Sequence, residues 1–172
     1  MAGSIKIWFD LDGTVFDLYH QDNWEPKLRA EESGVFTAYG ETDGWLPYIN
    51  RNLFAEAVQA LMMEFGVEFN VITWLPMQAS PEYEEVCRAE KIQWVKQNLP
   101  FVNEISCVSY GIPKQNCVKK KAQTMILHDD NVEVCEEWRT TKQRKAYQVS
   151  ANNSVDKVLN QILCDLEAEY FE

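Results

Sequence analysis

Short β-rich runs alternate with helical segments along most of this chain of 172 residues, and this order strongly limits the folds open to it. Runs rich in β-branched and apolar residues predict five strands, at 4–9, 67–73, 104–110, 124–129 and 145–150. Apolar spacing or start signals predict helices at 53–65, 81–98, 132–140 and 155–170. The alternation predicts an α/β fold with a parallel sheet that is covered by helices on both faces.

Acidic or hydroxyl side chains follow three of the predicted strands. Asp10 and Asp12 come directly after the first strand in "IKIWFDLDGTVFDL", Thr73 ends the second, and Asp129 and Asp130 close the strand at 124–129. Ligands of parallel α/β sheets bind beyond the carboxyl ends of the strands, so these groups are expected at one edge. Four carboxylates there would repel one another, and Mg²⁺, which takes oxygen ligands together with substrate phosphate, is their natural occupant.

The spacing of the first two acids suits phosphoryl transfer. An aspartate beside a bound metal is ionised and can attack phosphorus, which would give an aspartyl-phosphate on Asp10. Asp12, two residues further on, would face the leaving oxygen and act as general acid and then as general base. The turn at Gly13 and Thr14 would bring backbone N–H groups close to the phosphate oxygens.

These stretches resemble the motifs of the haloacid dehalogenase superfamily of phosphohydrolases. "FDLDGTVFD" is similar to the first motif, which implies Asp10 as nucleophile and Asp12 as acid/base. "VIT" resembles the second motif, whose hydroxyl, here Thr73, binds phosphate. "ILHDDN" resembles the acidic fourth motif, which implies Asp129 and Asp130. The likeness implies that Asp10, the backbone carbonyl of Asp12 and Asp130 bind Mg²⁺ directly, and that Asp129 supports these ligands without direct contact to the metal. The implied fold is a Rossmann-like parallel sheet.

The superfamily's phosphate lysine is harder to identify here. The nearest likeness within the superfamily is to the 5'(3')-deoxyribonucleotidases, in which a stretch like "EKYAWV" carries it. This chain has "EKIQWV", so the resemblance implies Lys91. Lys114 in "YGIPK" and Lys119 in "VKKKA" match other superfamily patterns and remain rivals. Motif two reads Thr73-Trp74 where those enzymes have Thr-Ser. Of all that the resemblance implies for this chain, the substrate specificity is therefore supported least.

The segment 15–52 does not follow the strand–helix alternation. It holds a third of the chain's aromatic residues and is predicted to be a small cap, inserted after the first strand of a single domain that spans 1–172. Its rings are expected either to form a small core packed on the main domain or, for one or two of them, to stack on a substrate ring.

Charge and hydropathy limit the partners. The net charge of −11 disfavours long nucleic acids, which are bound through many Lys and Arg contacts. No apolar run reaches membrane-spanning length, so no membrane partner is expected. Five cysteines without a CxxC pair favour reduced thiols in a cytoplasmic protein. The oligomeric state stays open.

The sequence therefore predicts a Mg²⁺-dependent phosphomonoester hydrolase that forms an aspartyl-phosphate. Its predicted substrate is a small phosphorylated molecule, with a (deoxy)nucleoside monophosphate as the best single choice. A phosphatase of nucleic-acid ends is an alternative, because half of the basic residues lie between Lys114 and Lys145. A non-catalytic binding protein on the same fold is another, although it would be expected to lack Asp10 or Asp12, and both are present.

Overall fold

A single parallel sheet of five strands organises the computed structural model, which describes residues 4–37, 43–118 and 122–171. The strands are β1 (Ile5–Phe9), β2 (Glu68–Trp74), β3 (Glu104–Val108), β4 (Thr124–Asp129) and β5 (Arg144–Gln148). They lie in the order β3-β2-β1-β4-β5, and each neighbouring pair is parallel. The structure confirms the predicted α/β class, and each predicted strand lies within two residues of an observed one.

The strand order places β1 at the centre of the sheet. The chain passes from β1 to β2 and β3 on one side and then crosses to β4 and β5 on the other. This change of direction leaves a crevice beyond the carboxyl ends of β1 and β4. Because Phe9 lies opposite His128 in the register, the residues that follow them, Asp10 and Asp129, emerge side by side.

Six helices accompany the sheet in the described residues. They are α1 (Trp24–Arg29), α2 (Arg51–Phe65), α3 (Pro81–Asn98), α4 (Lys114–Cys117), α5 (Val132–Trp138) and α6 (Val155–Phe171). The four predicted helices are confirmed to within two residues, whereas α1 and α4 were not predicted. None of these helices combines the length and apolar character that a membrane span requires.

Local signals explain the boundaries of α3, which carries Lys91. Ser80 caps its start by accepting a hydrogen bond from the Tyr83 N–H at 3.2 Å, and Pro81 occupies the first turn, where its missing N–H is harmless. The preceding helix α2 ends at Phe65 and is capped by Gly66, whose φ of 63° lies in the left-handed region that glycine adopts without strain.

The insertion packs mainly as an extension of the core. Phe16, Phe36 and Trp45 are buried in the large hydrophobic cluster that also contains β1 and β2 residues. The Trp94 indole N–H of α3 donates to the Asp43 carbonyl at 2.8 Å, and the Tyr83 hydroxyl donates to a carbonyl of the insertion at 2.7 Å. Most of the insertion's described rings therefore join the main hydrophobic cluster, whereas a separate small core was one of the two expectations. Residues 38–42 lie outside the described part.

Candidate active site

The Asp10 carboxylate lies at the floor of a cleft beyond the end of β1. Its backbone N–H donates to the His128 carbonyl at 2.9 Å, which continues the β1–β4 pairing by one residue and fixes its position. Its Oδ1 accepts a hydrogen bond from Lys114 Nζ at 2.8 Å. The described residues offer no donor to its Oδ2, so one oxygen is held while the other is available to a ligand.

The glycine of the first motif is required by its surroundings. Gly13 has a φ of 77°, in the left-handed region that other residues rarely adopt. A Cβ at this position would lie 2.7 Å from the Tyr19 ring and would also collide with the Asp130 carboxylate. The absence of a side chain therefore lets the acidic loop after β4 approach the turn after β1.

The turn after β1 leaves backbone N–H groups free for a ligand, but they are not those of Gly13 and Thr14, which were predicted to bind phosphate. The Gly13 N–H donates to the Phe16 carbonyl, and the Thr14 N–H donates to the Leu11 carbonyl, both at 3.0 Å. By contrast, no acceptor within the described residues faces the N–H of Leu11 or of Asp12. The Thr14 hydroxyl is buried and finds no hydrogen-bond partner among the described residues. The predicted phosphate contacts of Gly13 and Thr14 stay predictions, and Leu11 and Asp12 carry the free N–H groups.

Lys91 joins the acid/base candidate to the second motif. Its Nζ donates to Asp12 Oδ2 at 2.6 Å, to Thr73 Oγ1 at 3.1 Å and to the Trp74 carbonyl at 2.6 Å. The Phe36 ring covers the ammonium, with its centroid 4.5 Å from Nζ. Burial has the largest effect on Asp12 and raises its pKa; Lys91 opposes this, and Asp10 adds to it.

Lys114 occupies the other side of the same floor. Its Nζ donates to Asp10 Oδ1 at 2.8 Å and to Asp129 Oδ2 at 2.6 Å. Burial lowers its pKa, but the two carboxylates raise it more, so the net shift is upward and the ammonium stays charged. Both Lys91 and Lys114 thus reach the site, and Lys119 lies outside the described residues. Sequence periodicity could not identify Lys114, because the helix that carries it has only four residues.

The two acids after β4 have different surroundings. Asp129 Oδ2 pairs with Lys114, and its Oδ1 accepts the Asn131 N–H at 3.0 Å. The Asp130 carboxylate has no hydrogen-bond donor among the described residues. Burial and the charge of Asp10 raise the pKa of Asp129 to about 6. Burial, Asp10 and Asp129 together raise the pKa of Asp130 to about 8.

The acidic cluster fits a divalent cation. Carboxylate oxygens of Asp10, Asp129 and Asp130 all lie within 4.8 Å of one another. When every group is ionised, the site contains four carboxylates and two ammonium groups: Asp10, Asp12, Asp129, Asp130, Lys91 and Lys114. Two negative charges are left in excess, and hard oxygen donors of this kind suit Mg²⁺. The Asp12 side chain faces Lys91 and is not part of the cluster.

The cleft above this floor has a volume of about 560 Å³. Aromatic side chains form much of its wall: Tyr19, Trp24, Phe36, Trp74 and Tyr110. The first three come from the predicted cap. The Trp74 and Tyr110 rings lie 5.0 Å apart, and Arg29 and Glu25 form an ion pair at 2.5 Å on the wall. Clefts of this size accommodate small molecules. Tyr110 was predicted to be the last residue of the third strand, but β3 ends at Val108 and Tyr110 lies in the loop that follows.

Known proteins resemble this chain in structure but not in sequence. No protein-family model matches it, and no curated protein resembles it significantly in sequence. Nine chains of solved structures do match. One is a crystal structure of a protein from Burkholderia xenovorans, provisionally named a haloacid dehalogenase-like hydrolase; it is 10% identical, and the match covers 98% of this chain and 99% of that one with a TM-score of 0.45.

Proposed function

We propose that this protein is a Mg²⁺-dependent phosphomonoester hydrolase of the haloacid dehalogenase type, with Asp10 as its nucleophile. The observation that carries the proposal is the Asp10 carboxylate at the floor of the cleft. One of its oxygens is held by Lys114 at 2.8 Å, and the other meets no donor among the described residues. The motif likeness of "FDLDGTVFD" and "ILHDDN" supports the same assignment.

In the first half of the reaction, Asp10 Oδ2 attacks phosphorus, and the bond from phosphorus to the leaving oxygen breaks. Asp12 gives its proton to that oxygen, which departs as an alcohol. In the second half, Asp12 takes a proton from water as the water oxygen attacks phosphorus, and the bond to Asp10 breaks to release inorganic phosphate. The raised pKa of Asp12, caused chiefly by burial, suits a residue that must begin as an acid.

The remaining groups neutralise and orient the phosphate. A Mg²⁺ ion held by Asp10 and Asp130 would offset the charge on the phosphate oxygens, and the Asp12 carbonyl is a third proposed ligand. The free N–H groups of Leu11 and Asp12 are available to phosphate oxygens. The Thr73 hydroxyl, to which the motif likeness gives the same role, is fully buried and accepts a hydrogen bond from Lys91 at 3.1 Å. The resemblance favours Lys91 as the phosphate lysine, whereas the geometry favours Lys114, because Lys114 lines the cleft.

The substrate that fits best is a small phosphomonoester with a planar group, and a (deoxy)nucleoside monophosphate remains our first choice. Aromatic side chains that line the cleft, such as Tyr19 and Trp74, offer faces for a base. A cytoplasmic location belongs to the same proposal and agrees with the cysteines, which are all free thiols.

The proposal is tested with purified protein and an aryl phosphate, in Mg²⁺ and in EDTA, followed by a panel of nucleoside monophosphates. We expect Asp10→Asn to lower kcat by roughly a thousandfold or more, because the nucleophile is lost. Asp22→Asn makes the same chemical change at an exposed position of the insertion and should retain full activity. Hydroxylamine should release the phosphoryl group from the wild-type intermediate. Turnover that survives in Asp10→Asn, or in EDTA, would overturn the proposal.

A further inference from the structure

The Asp12 carboxyl is anchored by a single side chain. Among the described residues, Lys91 Nζ, at 2.6 Å from Oδ2, is its only hydrogen-bond partner. The other oxygen, Oδ1, is buried and meets no hydrogen-bond partner in the described part of the chain. The direction in which Asp12 points therefore depends on Lys91 alone.

The Lys91 ammonium has no donor left for a phosphate. Its three N–H groups are matched by three acceptors: Asp12 Oδ2, the Thr73 hydroxyl and the Trp74 carbonyl. The side chain is only 1% exposed, and it does not line the cleft. Lys114 has two carboxylate partners and does line the cleft, so one of its three N–H groups remains available.

Resting on the proposed function, we propose that Lys91 is a positioning residue, which acts through Asp12 by holding the acid/base toward the leaving oxygen and does not bind the phosphate. The insertion helps to fix it. Glu90, the preceding residue of α3, accepts the N–H of Gly34 at 2.5 Å and the N–H of Phe36 at 3.1 Å. These bonds keep the Phe36 ring over the Lys91 ammonium.

If Lys91 positions Asp12, its loss should slow substrates with a basic leaving oxygen more than substrates with a good leaving group. Proton donation by Asp12 matters when the departing oxygen is strongly basic, as in phenyl phosphate or an alkyl phosphate. It matters little for 2,4-dinitrophenyl phosphate, whose phenolate leaves without a proton. A phosphate-binding lysine would contribute to both substrates, because both present the same phosphoryl group.

The experiment compares kcat/KM for phenyl phosphate and 2,4-dinitrophenyl phosphate in Lys91→Met and in wild type. This parameter reports the steps through formation of the aspartyl-phosphate, before the hydrolysis that both substrates share. We expect Lys91→Met to lose about 10- to 100-fold on phenyl phosphate and less than about threefold on the dinitrophenyl ester. Lys114→Met, the matched control, should lose similar factors on both.

The ratio of the two values does not depend on the fraction of folded protein, so partial unfolding cannot imitate the effect. Lys91→Arg, which keeps the charge but changes the geometry, is measured in parallel and should show the same selective loss in a smaller degree. Equal losses on both substrates in these variants would overturn the positioning role and favour a phosphate contact. If wild type hydrolyses neither ester in Mg²⁺, the proposed function itself fails, which is a distinguishable result.

Discussion

Replacement of Asp130 by asparagine should stabilise the metal-free protein and remove its response to Mg²⁺. In the folded protein the pKa of Asp130 is raised to about 8, against 3.8 for an unperturbed aspartate. Between these pH values the folded state holds a proton that the unfolded state has lost. The free energy of unfolding of the metal-free protein therefore falls as the pH rises from about 4 to about 8.

The size of this effect follows from the shift. Each unit between the folded and unfolded pKa corresponds to about 1.4 kcal/mol, which sets an upper bound of about 4 kcal/mol at pH 7. The side chain is partly accessible, so solvent screening reduces the penalty to the order of 1–2 kcal/mol. For a protein of this size, Asp130→Asn should then raise Tm in EDTA at pH 7 by about 2–8 °C. At pH 4 the difference from wild type should vanish.

The second measurement is the change in Tm when Mg²⁺ is added. At a concentration 100 times its Kd, Mg²⁺ should stabilise the wild type by about 2.7 kcal/mol, or about 5–11 °C in Tm. Asp130→Asn should lose most of this shift. Asp129→Asn should keep more of it, because both Asp129 oxygens are already bound, to Lys114 and to the Asn131 N–H. Glu133→Gln removes the same charge from an exposed position of α5 and should respond as wild type does.

Calorimetric titration of Mg²⁺ into each variant checks the order of the affinities without reliance on activity. If Asp130→Asn keeps the full thermal shift, the cation does not bind where the three carboxylates converge. If Asp129→Asn loses more than Asp130→Asn, the direct ligand is the other member of the pair.

Three further changes probe the remaining parts of the site. Lys114→Met should lower kcat/KM by about 10- to 100-fold and destabilise the metal-free protein by about 3–5 kcal/mol, because it leaves buried carboxylates unpaired; steady-state kinetics and urea unfolding measure the two effects. Trp74→Leu should raise KM for nucleoside monophosphates about tenfold and leave that for a small alkyl phosphate nearly unchanged, as expected from the loss of one stacking face. Gly13→Ala should lower Tm in EDTA and weaken Mg²⁺ binding, since its Cβ would displace the Asp130 carboxylate; calorimetry reports both.

The strand ends of this site were predictable because they depend on local patterns. Each strand shows in the sequence as a short β-rich run, and parallel strands bring their carboxyl ends to one edge whatever connects them. Asp10, Asp129 and Asp130 therefore converge as expected. The same reasoning placed Thr73 near them, and its hydroxyl accepts a hydrogen bond from Lys91, which also donates to Asp12.

Local sequence patterns could not predict the contacts of the site lysines or of the insertion. Lys114 reaches Asp10 from α4, a helix of four residues that follows β3, and no periodic pattern in the sequence predicts that contact. The insertion is held by contacts between residues far apart in sequence, such as Glu31 with Ser80 and Glu90 with Gly34. A single exposed glutamate in a sequence gives no sign that it will meet a particular N–H some fifty residues away.

The pairing of charges in the site is the physical reason for proposing a metal in addition to the two lysines. Asp12 is paired with Lys91, Asp129 with Lys114, and Asp10 shares Lys114 through one oxygen, which leaves Asp130 as the acid of the site without an ammonium partner among the described residues. Without a cation, Asp130 can relieve the crowding by keeping its proton, as its raised pKa indicates. A phosphomonoester adds roughly two more negative charges to the same cleft. A protonated Asp130 is neutral and does not attract them. A divalent ion held by Asp10 and Asp130 would restore neutrality before the substrate arrives, so we infer that the proposed metal binds first.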